Sequence, residues 1–332
     1  MDRGILKTNT FPLGFGCVQL TTHRDPKEAV SILEHSFGLG ITHFDVARAY
    51  GFGRAEGILG KFLRGRRHHV TVATKLGLQP PVGMAGNARL INAAKRLLSP
   101  FPALLQLAKR GGSALEKSGE FAPEAAIQSL ETSLRELGTD YVDILLLHEA
   151  ELAEAAGEAL LDALQGQVAK GRIRHLGIAS DFSKLHQDAG RLPPAYDTVQ
   201  FNDNPWRRNL PRLQNREQRL LITHSIFEPA AQLIAAARMR AQLAAESSRQ
   251  IGADLSNPDV IASLLLHYAL RNNTGGVVLF SSTDARHIEA NVREVRAPQF
   301  DEAQLGHFVA FVDQALGPWD AAATRTTAKG VA

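Results

Sequence analysis

Eight short apolar runs recur along the chain, and the stretches between most of them are long enough for a helix. Residues 12–20, 41–45, 70–75, 142–148, 173–179, 198–201, 220–224 and 277–280 read as strands. Their near-continuous Val, Ile and Leu character fits strands covered on both faces, as in a parallel sheet. Between them, 27–39, 55–63, 123–137, 159–169 and 258–270 read as helices, two of which begin with Pro near the first turn, where its missing N–H costs nothing. A strand followed by a helix, repeated eight times, predicts a single (β/α)8 TIM barrel over 1–320. A doubly wound open sheet would carry its glycine-rich turn after the first strand. The nearest such string, Gly51, Gly53 and Gly57, follows the second and has three residues rather than two between its last glycines.

Composition narrows the function classes. With 332 residues, 44% of them hydrophobic and 21% charged, the chain can bury a large core. Lys and Arg number 37 against 34 acids, and their scatter leaves no basic stripe, so nucleic acid is not an expected partner. The single cysteine, Cys17, has no internal disulfide partner, and no apolar run reaches the ~20 residues of a membrane span. Residues 1–12 mix charges into too short an apolar stretch for a secretory signal, so a cytoplasmic monomer without membrane attachment is expected. Two segments interrupt the alternation, 79–121 and 228–257. Both follow strands, which makes them extended βα loops at the C-terminal face, either shaping a substrate pocket or carrying surface helices. The tail, 321–332, has little to bury and is expected to fray.

The chemistry concentrates at strand ends. Asp45, Lys75 and His148 each close an apolar run, and Tyr50 lies just past the second strand. The C-terminal ends of barrel strands share one mouth, so residues about a hundred positions apart meet there. A partly buried Lys or Asp needs a counter-charge, and each is the natural partner of the other. An ammonium beside a phenol favours the ionised form, so Tyr50 next to Lys75 is expected to titrate below the usual value of about 10. A proton donor with a neighbouring imidazole suits carbonyl reduction, in which negative charge builds on oxygen.

The run 40–51 (GITHFDVARAYG), followed by Glu56 and Leu59–Gly60, resembles the signature of the aldo-keto reductase family. The stretches 73–77 (ATKLG) and 129–148 (SLETSLRELGTDYVDILLLH) resemble two further family blocks, and the match runs from about Phe15 to Asn291. The 74–77 stretch and its long following loop are nearest to the sugar and small-aldehyde dehydrogenases of the family. The resemblance implies an NADP- or NAD-linked oxidoreductase acting on a small-molecule carbonyl or alcohol. It puts Asp45, Tyr50, Lys75 and His148 in the four catalytic positions.

The same resemblance implies the cofactor contacts. Gln200, ending the sixth strand, matches the residue that holds the nicotinamide carboxamide. Its companion pair after the fifth strand is Ala179–Ser180 or Ser180–Asp181 by two anchorings, and Ser180 is common to both. Asp45 and Cys17 belong to the same set. His224 takes the place of an aromatic ring stacked on nicotinamide, or else is a hydrogen-bonded mouth residue. Ser225 and Phe227 match contacts to the pyrophosphate. The turn 280–291 (FSSTDARHIEAN) resembles the block around the adenosine end, with Ser281, Ser282 and Asn291 at matching positions. Arg286 either reaches a 2′-phosphate, which gives a slight lean to NADP over NAD, or is a solvated helix residue.

Two rival readings remain at this point. His43, Asp45, His148 and His224 also crowd strand ends, as in a metal-dependent barrel hydrolase, although no His-x-His pair occurs and Lys75 would repel a dication. A non-catalytic nicotinamide-binding sensor or partner subunit of the same fold is the other.

Overall fold

The computed structural model describes residues 11–22, 25–80, 120–185 and 191–319. Most of the loop expected at 79–121, and the whole of the tail at 321–332, lie outside these residues. Eight parallel strands close on themselves in sequence order: β1 (Leu13–Gly16), β2 (His43–Asp45), β3 (Thr71–Leu76), β4 (Val142–His148), β5 (Ile173–Ala179), β6 (Tyr196–Asn202), β7 (Leu220–His224) and β8 (Val277–Phe280). β1 pairs with both β2 and β8, which completes the barrel. The expected first strand was too long. From Cys17 to Thr22 the chain instead curls into a 3₁₀ segment that buries Cys17 and Leu20 and turns Val18 to the cavity.

Eleven α-helical segments are described: α1 (Pro26–Gly38), α2 (Ala55–Leu63), α3 (Pro123–Leu137), α4 (Leu152–Ala155), α5 (Glu158–Ala169), α6 (Phe182–Leu185), α7 (Ala230–Met239), α8 (Ala241–Ile251), α9 (Pro258–Asn272), α10 (Ala285–Arg296) and α11 (Glu302–Leu316). Their ends carry local signals. Asp25 caps α1 by accepting from the Lys27 N–H, with Pro26 in the first turn. Asp301 and Gln304 form a reciprocal capping box at α11. Gly138 ends α3 in the left-handed conformation (φ 63°).

Three apolar layers follow. Ala73, Ile144, Leu146, Ile222, Val277 and Leu279 form a cluster of their own on the strands, while Phe15, Phe44, Phe62 and Leu145 belong to a larger core joining strands and helices. A separate core joins α7 and α8 to α9 and α11 through Leu233, Ile251, Leu264, Phe308 and Phe311. The segment at 228–257 is therefore mainly a helical pair packed on α9 and α11. Among the described residues no helix is long and apolar enough to cross a membrane.

Register puts the polar strand ends level. Gly16 pairs with Asp45, Lys75 with Leu146, His148 with Ala179, Ala179 with Gln200, and Asn202 with His224. Side chains from β2, β3, β4, β6 and β7 thus reach one end of the barrel.

Candidate active site

A cavity of about 440 Å³ opens there, and Asp45, Tyr50, Lys75 and His148 all line it. Lys75 Nζ lies 2.5 Å from Asp45 Oδ1 and donates a second bond to the Val46 carbonyl at 3.2 Å. The same ammonium stands 5.1 Å from the centre of the Tyr50 ring. His148 meets that ring nearly edge-on, with centroids 6.1 Å apart. Asp45 Oδ2 accepts from Gln200 Nε2 at 2.9 Å, so one carboxylate links β2, β3 and β6 across the barrel.

Burial governs the electrostatics. It works against the Lys75 charge, but Asp45 and Tyr50 outweigh it and hold the ammonium above its ordinary pKa. For Tyr50 the net direction is upward, which corrects the expectation of a lowered value: Lys75 does pull the phenol down, yet desolvation is larger. Burial, with Lys75 adding to it, pushes His148 down to about 3, and His224 falls to about 4 for the same reasons. Both imidazoles are therefore neutral near pH 7.

Six of the other expected contacts also line the cavity: Ser180, Gln200, His224, Ser225, Phe227 and Ser281. His224 Nδ1 lies 2.9 Å from Ser225 Oγ, which makes it a hydrogen-bonded mouth residue that also faces the cavity. Ser180 donates to the Ala150 carbonyl at 3.0 Å, whereas Asp181 accepts from Ser183 and Asn202 and does not line the cavity. Ser281 donates to the Gly16 carbonyl at 2.7 Å. A Cβ on Gly16 would stand 2.6 Å from the Ser281 hydroxyl, so a side chain there would displace the group that bridges the β1–β8 seam.

Four expected contacts are absent from the cavity wall. Cys17 is fully buried beneath the mouth, and burial pushes its thiol up. Ser282 exchanges hydrogen bonds with the Asp284 backbone. Arg286 extends into solvent in a forked pair with Asp284, at 2.6 Å from Nη2 to Oδ2. Asn291 is half-buried on α10.

Several wall residues carry no signal in the sequence: Gly16, Val18, Glu149 and Glu228. Glu228 is held by Arg207 in a two-point pair of 2.5 and 2.6 Å, and Arg207 in turn stacks 3.9 Å over Trp319. Behind the site, Glu56 is fully buried, accepts from Thr74 at 2.7 Å and pairs with Arg48 at 3.0 Å. Only its place in the 40–60 block pointed to it. His43 is buried with neither ring nitrogen hydrogen-bonded. Among the described residues no three His, Cys, Asp or Glu side chains converge in a metal-binding group.

Known proteins share both the sequence pattern and the fold. The 6-dehydroglucose reductase of Agrobacterium fabrum (strain C58) is 32% identical over 170 residues, 48% of this chain and 47% of that protein. A probable aldo-keto reductase 1 of Glycine max is 26% identical over 203 residues, 60% of this chain and 49% of that protein. The chain spans about half the length of the curated relatives that it matches. Among solved structures, the holo form of an aldo-keto reductase from Bacillus halodurans superposes with a TM-score of 0.68 at 19% identity, covering 93% of this chain and 94% of that one. A glycerol dehydrogenase from Gluconobacter oxydans gives 0.68 at 16% identity, covering 95% and 96%. These likenesses show the fold. The sequence model of the aldo/keto reductase family matches residues 12–313, from the first strand into the last described helix, and the chain belongs to that family.

Proposed function

We propose that the chain is an NAD(P)-dependent oxidoreductase that interconverts an aldehyde, ketone or sugar carbonyl with the corresponding alcohol. The observation that carries this reading is the meeting of Asp45, Tyr50, Lys75 and His148 at one cavity. Tyr50 keeps its proton at neutral pH because burial raises its pKa, and Lys75 stabilises the phenolate that forms when the proton passes to a carbonyl oxygen. Asp45 holds the ammonium in place. The neutral His148 ring orients the carbonyl by a hydrogen bond.

The residues present fit a nicotinamide dinucleotide. Gln200 and Ser180 already donate to Asp45 and Ala150, so the oxygens that they turn to a carboxamide are acceptors for its NH₂. His224, Ser225, Phe227 and Ser281 supply the wall that continues toward the α10 turn. When bound, the dinucleotide supplies the hydride that the carbonyl carbon receives. Arg286 is the residue for a 2′-phosphate, and its pairing with Asp284 keeps the preference for NADP over NAD slight.

A cytoplasmic location fits the single buried cysteine, and a monomer fits a described surface on which only Val18 and Met239 are large exposed apolar side chains. The test is a fluorescence titration with NADPH and NADH, followed by a panel of aldehydes, ketones and sugars. Saturable binding with turnover supports the reading. Tight binding without turnover of any panel member would favour a non-catalytic sensor, and no binding of either dinucleotide would end the oxidoreductase reading.

A further inference from the structure

The residue after His148 sits in a conformation that side chains rarely adopt. Glu149 has φ +59°, and Ser225, which follows His224, has φ +61°. Both therefore turn the backbone directly behind a mouth histidine. Ser225 is bonded to that histidine itself, with Oγ 2.9 Å from its Nδ1. Glu149 is held from elsewhere. Its N–H donates to the Ala179 carbonyl at 2.7 Å, and its Oε1 accepts from the Asp181 N–H at 3.2 Å. Lys184 grips it twice, with Nζ 2.9 Å from Oε2 and 3.2 Å from the backbone carbonyl.

Lys184 is itself on anchored ground. It lies on α6, where the Phe182 N–H donates to Asn202 Oδ1 at 3.2 Å and Asp181 accepts from Asn202 Nδ2 at 2.9 Å. Asn202 ends β6. The grip on Glu149 thus ties the end of β4 to the ends of β5 and β6.

His148 has no comparable tie of its own. Its Nδ1 is buried without a hydrogen-bond partner among the described residues, and its ring meets Tyr50 only by an edge. The backbone that carries the ring must fix its direction. We propose that Glu149, locked by Lys184, is the positioning residue that aims His148 into the cavity. This rests on the reading of His148 as a site residue.

The groups that act on His148 are Lys75, Asp45, His224 and Lys184, with the Tyr50 ring beside it. Lys184 alone among them does not line the cavity, so replacing it disturbs the grip without altering the wall. The pair is more than a third exposed on both sides, and such pairs add little to stability. Its effect is on geometry.

The experiment uses Lys184→Met, Lys184→Arg and Glu149→Gln in the full chain. Imidazole ¹⁵N shifts of His148 at pH 7, without cofactor, report its tautomer and hydrogen bonding. Thermal midpoint, NADPH affinity, kcat and KM are read alongside. Lys184→Met and Glu149→Gln should shift the His148 ring signals and lower kcat about tenfold, the scale of a small misplacement of a catalytic group. In Lys184→Met, which leaves the wall intact, NADPH affinity and the thermal midpoint should stay unchanged, and Lys184→Arg should keep both the signals and kcat at the parent values. His148 signals that do not move in either disrupted variant would overturn the proposal. If the protein reduces no carbonyl at all, the ring signals still decide the positioning role, and only the assigned function fails.

Discussion

Asp45 and Lys75 are buried charges that are tolerable only together, and the 2.5 Å contact between them sets the rest of the site. Tyr50 is placed next to that pair, so its phenol faces a fixed positive charge in a desolvated setting. Tyr50→Phe should lower turnover by about 10² or more while leaving dinucleotide affinity nearly intact, read from single-turnover reduction and fluorescence titration. Unchanged turnover would remove Tyr50 from the proton-transfer role. The cofactor turn has its own residue-level test. Asp284 both caps α10 and engages Arg286, and serine keeps the cap while releasing the guanidinium. Asp284→Ser should raise affinity for NADPH relative to NADH by about tenfold. An unchanged ratio would mean that Arg286 does not reach a 2′-phosphate.

At the scale of elements, close strand contacts are made where side chains are missing. A Cβ on Gly177 in β5 would lie 2.3 Å from the Thr198 carbonyl and 2.6 Å from the Leu146 side chain. The register between β5 and β6 shifts at Leu176/Gly177, where the two backbones make this close approach. Gly177→Ala should destabilise the protein by about 1–3 kcal/mol, the usual range for overpacking a core, measured by urea unfolding. A variant as stable as the parent would show that β5 can give way. The strand-to-helix alternation made these elements readable, and helix ends such as Pro123–Leu137 coincide with their Pro and Gly signals. The expected first strand ran too far because Cys17 and Leu20 are buried in a 3₁₀ turn, which periodicity does not separate from an extended run.

At the scale of the whole molecule, three histidines among the described residues are held uncharged: the buried His43 and the half-buried His224, each down to about 4, and the half-buried His148, down to about 3. Burial lowers each folded value below the unfolded value of about 6.5, so the unfolded chain binds more protons as pH falls. Stability is therefore full above about pH 6.5 and is lost as pH drops toward 4 and 3, by up to about 1.4 kcal/mol per pH unit for each histidine. Urea midpoints at pH 7.5 and 5 should show this decline, and a flat profile would contradict the neutral state.

The sequence by itself determined the barrel and its four strand-end residues, because hydrophobic period and chain order are local properties. The family resemblance, not the hydrophobic period, pointed to Ser180, Gln200, His224 and Ser281, and these four line the cavity. Only the tertiary structure decided that Arg286 turns to Asp284, that Cys17 lies beneath the wall, and that Glu149 is gripped by Lys184. It likewise decided the direction of the Tyr50 shift. The reason is common to all four: each depends on a sum over neighbours brought together from separate strands, and such sums have no counterpart in the order of residues along the chain.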